Sequence, residues 1–134
     1  MYTMMQACKE VNMTYEALKF YCNSGLVPNV KRDKNNRRIF DENNINWIKS
    51  LSCLKNCGMS IKDMQIYLDL CLQGQGTIPQ RQEILDLQKE KLINQLEEIK
   101  KSLEYIDHKQ DYYQKVLDGE IEYQSYLIDT SKDV

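Results

Sequence analysis

From Ile78 to Leu117, apolar side chains recur at alternating intervals of four and three residues. The positions are 78, 82, 85, 89, 92, 96, 99, 103, 106, 110, 113 and 117, and nine of the twelve are apolar: Ile78, Leu85, Leu92, Leu96, Ile99, Leu103, Ile106, Tyr113 and Leu117. A seam this narrow, held this long, is a coiled-coil signal. The helix it predicts would be about 60 Å long from the rise per residue. An isolated helix cannot bury such a seam in water, so a partner helix is required. Most soluble oligomers are two-fold symmetric, which makes a second copy of the same chain the simplest partner.

Charge divides the chain unevenly. Residues 1–40 hold seven Lys/Arg against three acids, whereas residues 81–134 hold eight against thirteen, within a formal net charge of -2. Five basic residues (Lys31, Arg32, Lys34, Arg37, Arg38) fall between positions 31 and 38. A basic head on an acidic tail points to a polyanion as partner of the N-terminal end. No apolar run approaches the ~20 residues of a membrane span. The N-terminus MYTMMQACKE has no signal-peptide pattern, so a cytoplasmic protein without a membrane partner is expected. Five cysteines at 8, 22, 53, 57 and 71 are an odd set for a reducing compartment and do not predict a disulfide framework.

The first forty residues read as helix, turn, helix, hairpin. Thr3 can cap a helix through Glu10 with Met4, Ala7, Cys8 and Val11 on its apolar side. Asn12 tolerates the left-handed backbone of a tight turn. Thr14 caps a second helix carrying Ala17, Leu18 and Tyr21, which Gly25 and Pro28 end. Val30 and Ile39/Phe40 are strand-like around the turn residues DKNN. Two helices in this arrangement are a helix-turn-helix, whose second helix enters a DNA major groove, and a basic hairpin beside it forms a wing for phosphates.

Asp41 then caps a helix over roughly 42–57, with Asn44, Trp47, Ile48, Leu51 and Leu54 on one arc. Gly58 ends it. Ser60 opens a fourth helix expected to bury Ile61, Met64, Leu68, Cys71 and Leu72. The stretch QGQGT reads as a hinge, after which Thr77 caps the long fifth helix with Pro79 in its first turn. The predicted organisation is a head over 1–73, a hinge over 74–80, a coiled-coil helix over 81–118 and an acidic, aromatic tail of unassigned role over 119–134. The fold class is all-α with a small wing hairpin.

These residues carry a family resemblance. YTMMQACKEVNMTYEALKFYCNSGLVP, then NNRRIF, then DENNINWIKSLSCLKNCGMSIKDMQIYL and a long coiled-coil helix, over residues 2 to about 117, resemble a MerR-type transcriptional regulator. The resemblance implies a winged helix-turn-helix dimer with an antiparallel coiled coil. It also implies binding to double-stranded promoter DNA with an overlong spacer, which such dimers untwist for RNA polymerase. Lys19 and Tyr21 match the family's phosphate-contacting residues, and Arg38 matches its wing arginine. Thr14 and Tyr15 stand where the recognition helix meets DNA, and Lys31, Arg32 and Arg37 join Arg38 in the wing. Phe20 replaces a tyrosine of the family pattern, Asn36-Arg37 replace Gly-Tyr, Cys22 replaces a glutamate, and Glu16 stands where a basic residue is common.

The family's metal-sensing branch needs cysteines from the start of the fifth helix onward, and this chain has none beyond Cys71. No metal or cofactor is therefore expected. The stretch NINWIKSLSCLKNCGMSI is similar to the aldehyde- and electrophile-responsive, AdhR-like subgroup, in which Cys53 matches the cysteine proposed to react. Helical geometry places Cys53 roughly 160° from the apolar arc of its helix. Lys49, one turn earlier, favours a thiolate there. Three readings stay open. The first is a regulator sensing electrophiles at Cys53. The second is the same regulator with a small-molecule pocket between the third and fourth helices and the partner's long helix, lined by Trp47, Met64 and Tyr67. The third is a coiled-coil interaction protein without specific DNA binding. An enzyme is not expected: one histidine and no convergent acid/base set or phosphate-cradling glycine loop are present.

Overall fold

The computed structural model describes residues 1–131. The elements run β1 (Tyr2–Thr3), α1 (Met4–Val11), α2 (Tyr15–Asn23), β2 (Lys31–Arg32), β3 (Arg38–Phe40), α3 (Glu42–Asn56), α4 (Ile61–Leu72), a 3-10 turn (Gln75–Thr77) and α5 (Ile78–Leu117). Met1–Leu92 forms one compact unit, and the chain from Ile93 onward forms a second. The last three residues of the expected tail, 132–134, lie outside the described residues.

Local caps fix the helices of the first unit. The Thr3 hydroxyl accepts from the Gln6 N–H at 3.2 Å while the Gln6 side chain accepts from the Thr3 N–H at 2.9 Å, a complete capping box. Asn12, at φ +54°, ends α1 in the left-handed region, and Thr14 accepts from Ala17 N–H at 3.1 Å to start α2. Asp41 and Asn44 form a second reciprocal box at the head of α3. Ser60 caps α4 through Asp63 N–H.

One strand escapes the sequence reading. Tyr2 pairs with Phe40 and Thr3 with Ile39, so the wing is a three-stranded antiparallel sheet in the order β1-β3-β2 and not a two-stranded hairpin. Two residues are too few to display strand periodicity. Their pairing with β3 ties the chain start to the wing, and Phe40 is fully buried there.

The core joins Ala7, Cys8 and Val11 of α1, Leu18 and Tyr21 of α2, Leu26, Phe40, Ile45, Ile48 and Leu51, with Met59 and Met64 beneath α4. Burying side chains of this size contributes about 1.5–3 kcal/mol each. Two expectations fail at the end of α4 and the start of α5. Leu72 is exposed and does not join the core. Thr77 does not cap α5. Its hydroxyl donates to the carbonyls of Leu70 and Gly74, at 2.5 and 3.0 Å, and accepts from Arg81 Nε at 3.0 Å. Thr77 and Arg81 thereby close the last turn of α4, and the 3-10 turn continues directly into α5.

The first turns of α5 belong to the first unit. Ile84 packs on the core, and buried Gln88 donates to the carbonyl of Cys57 at 2.7 Å. In the second unit, α5 carries exposed seam residues, with Leu96 51% and Leu103 56% exposed. No helix is long and apolar enough to cross a membrane among the described residues.

Candidate nucleic-acid interface

The wing is built around Asp33. Its carboxylate accepts from the backbone N–H groups of Asn35 at 2.9 Å and Arg37 at 3.0 Å. Asp33 and Arg37 also pair through their backbones, and Asn36 sits at φ +60°, the position where glycine is otherwise favoured. Across the strands Lys31 faces Ile39 and Arg32 faces Arg38. The Arg32 guanidinium reaches the Asn36 carbonyl at 2.9 Å, while Arg38 Nη2 donates to Asn23 Oδ1 at 2.7 Å. Asn23 is the last residue of α2, so this bond fastens the wing to the second helix of the helix-turn-helix. At the sequence level Asn23 carries only a helix-end signal.

Lys31, Arg32 and Arg37 are exposed and Arg38 half-exposed. Among the described residues, ion pairs occur only between positions 97 and 115, so the wing cations have no carboxylate partner at bonding distance. On α2, Thr14, Tyr15 and Lys19 are exposed, the Thr14 hydroxyl being engaged in its cap. A groove of ≈ 360 Å³ brings Tyr15 together with Arg32, Asp33, Arg37 and Arg38, and Thr3, Met4 and Met5 at the α1 start also line it. Met5 is 64% exposed, and its place beside the wing was not readable from α1 periodicity.

Tyr21 departs from its expected place. It is 2% exposed, whereas neighbouring Phe20 is 53% exposed. Leu18 and Tyr21 share the inward face of α2, so Tyr21 is a core residue and stands apart from the exposed basic cluster. Its hydroxyl is shielded and has no hydrogen-bond partner among the described residues, and burial raises the phenol pKa. The ammonium of Lys55 on α3 lies 6.0 Å from its ring centre. Phe20 and Tyr15 are the aromatic side chains that α2 presents outward.

Cys53 is exposed on α3, as is Lys49, while Cys57 is half-buried at the end of that helix. Within the single chain the three residues expected at the effector pocket have different surroundings. Trp47 donates from Nε1 to the Leu26 carbonyl at 2.7 Å and lines a small cavity of ≈ 250 Å³ with Leu68, Cys71 and Leu72. Met64 is buried in the core cluster and lines no part of it. Tyr67 is also absent from its lining, half-buried with Cys71 and Arg81 close by, and burial raises its phenol pKa.

The chain is similar to known proteins over most of its length. The profile of the MerR HTH family of regulatory proteins matches residues 2–71. An uncharacterized HTH-type transcriptional regulator of Haemophilus influenzae is 34% identical over 85% of this chain and 84% of its own length. The HTH-type transcriptional regulator AdhR of Bacillus subtilis is 35% identical over 66% of this chain and 63% of its own. The crystal structure of HiNmlR, a MerR family regulator lacking the sensor domain and bound to promoter DNA, superposes with a TM-score of 0.72 at 34% identity. It covers 86% of this chain and 91% of that one.

Proposed function

We propose that this chain, which belongs to the MerR family of helix-turn-helix regulatory proteins, regulates transcription as a homodimer that grips promoter DNA through α2 and the wing. The observation that carries the reading is the grouping of Tyr15, Arg32, Arg37 and Arg38 around one groove, whose single carboxylate, Asp33, is engaged by backbone N–H groups and forms no ion pair with them. Lysine and arginine there neutralise backbone phosphates and release counterions, while the exposed face of α2 supplies contacts to base edges. HiNmlR, with its promoter DNA, supports the same use of the head. Dimerisation follows from the seam: Leu96, Ile99, Leu103 and Ile106 are all exposed in the single chain, and a second α5 would bury them. The dimer acts on RNA polymerase by untwisting an overlong promoter spacer.

The reading is tested by titrating labelled promoter fragments at several salt concentrations. Affinity that falls linearly with the logarithm of salt and exceeds that for unrelated duplex supports it. Absence of DNA binding would leave a coiled-coil interaction protein.

Induction is assigned to Cys53. The thiol is exposed on the side of α3 opposite Ile48 and Leu51, and the AdhR relative is 35% identical over 66% of this chain. An electrophile of the aldehyde class would add to the thiolate, and the adduct would alter packing against the partner's coiled-coil helix.

A further inference from the structure

A cavity of ≈ 580 Å³ lies in the second unit between the end of α5 and the segment that returns along it. Tyr105, Lys109 and Tyr112 form its helical wall, and Tyr123 and Tyr126 face them from the returning segment. The reversal is built from backbone bonds: α5 closes with Glu120 N–H on the Lys115 carbonyl at 2.9 Å, and Gly119 takes φ +78°. Tyr112 then clasps the segment. Its phenol oxygen accepts from the Gln124 N–H at 2.8 Å and donates to the Gln124 carbonyl at 3.3 Å.

Residues 105, 109 and 112 make a stripe of their own, spaced by four and three. It lies about 100° around the helix from the seam positions 106, 110 and 113. The cavity meets the seam only at Tyr113. Pairing through the seam therefore leaves the tyrosine stripe available.

The volume falls within the ~300–1,000 Å³ of small-molecule sites, and tyrosine rings offer faces and edges for a planar ring. Charge selects the ligand further. Lys100, Lys101 and Lys115 each have a carboxylate within ion-pair distance, at Glu97, Glu98 and Asp111. Lys109 has none among the described residues. Its ammonium lies 5.9 Å from the centre of the Tyr105 ring, on the wall of the cavity beside His108. A resident ammonium on the tyrosine face disfavours a cationic guest and favours an anion.

We infer that this cavity binds a planar aromatic anion, its ring stacked among Tyr112, Tyr123 and Tyr126 and its carboxylate or sulfonate held by Lys109. Binding there orders the segment after Gly119 and does not depend on DNA binding by the head.

Calorimetric titration of the full chain with 2-naphthoate, 2-naphthylmethanol and 2-naphthylmethyl-trimethylammonium presents one ring with three charges. The naphthoate is expected to bind about tenfold more tightly than the alcohol, the increment of a charge-assisted hydrogen bond. Lys109→Met should bring it down to the affinity of the alcohol, and Lys109→Arg should restore it. Tyr112→Phe, which removes the clasp but keeps the ring, should weaken both the naphthoate and the alcohol. Absence of saturable binding, tighter binding of the ammonium compound, or full naphthoate affinity in Lys109→Met would each overturn the assignment.

Discussion

Arg32 and Arg38 face each other directly across the β2–β3 pair, two like charges in register on a short ribbon. Like charges opposite one another destabilise a strand pair by a few tenths of a kcal/mol to about 1 kcal/mol. The fold tolerates this by drawing the two side chains apart. Arg32 reaches over the turn to the Asn36 carbonyl, and Arg38 crosses to Asn23 on α2. An anion laid over the ribbon relieves the same repulsion, so the register favours a phosphate partner.

Tyr21 is predicted to tolerate loss of its hydroxyl. That oxygen is buried without a partner, so Tyr21→Phe removes an unsatisfied polar atom while keeping the ring. Stability should stay within about 1 kcal/mol of the parent or rise slightly, and DNA affinity should not change. Chemical denaturation and DNA titration of the variant check both. A large loss of affinity with intact stability would return Tyr21 to the phosphate contacts.

The seam is tested by placing aspartate at Leu96 and Leu103. Both are exposed in the single chain, so folding of the head should persist. In the dimer each aspartate would be an unpaired charge in an apolar seam, at a cost of several kcal/mol. Sedimentation should show monomers that bind DNA weakly, whereas an intact dimer would remove the seam from the interface.

Cys53 is expected to react with an electrophile such as methylglyoxal before Cys8, Cys22, Cys57 and Cys71. Cys53 is the exposed thiol, and burial raises the pKa of the Cys8 and Cys22 thiols and lowers their thiolate fraction. Cys53→Ser should keep operator affinity and lose induction. Peptide mass mapping after brief treatment, together with a reporter assay, reads both. Normal induction in the variant would shift attention to a non-covalent inducer.

What could be read in advance follows a physical division. Thr3, Asn12, Thr14, Asp41 and Ser60 act within four residues of themselves, so their capping roles stand in the linear sequence and recur in the fold. The seam is equally visible, because its periodicity extends over forty residues of α5. Relationships that cross between elements were not visible. Tyr2 finds β3, Asn23 finds Arg38, and Gln88, which reads as a solvent-facing residue, is buried against the end of α3. Tyr21 shows the limit of resemblance: a motif transfers a residue type to a position, while packing decides which of Phe20 and Tyr21 faces outward.

Whether the wing holds DNA by its phosphates can be read from Arg38→Ala. Dissociation constants for operator and for unrelated duplex would be measured across a series of salt concentrations. A phosphate-holding Arg38 gives similar fold-losses on both DNAs and a salt slope shallower by about one unit, the share of one phosphate contact. A loss confined to the operator, with the slope unchanged, would mean that Arg38 reads bases and would contradict the assignment.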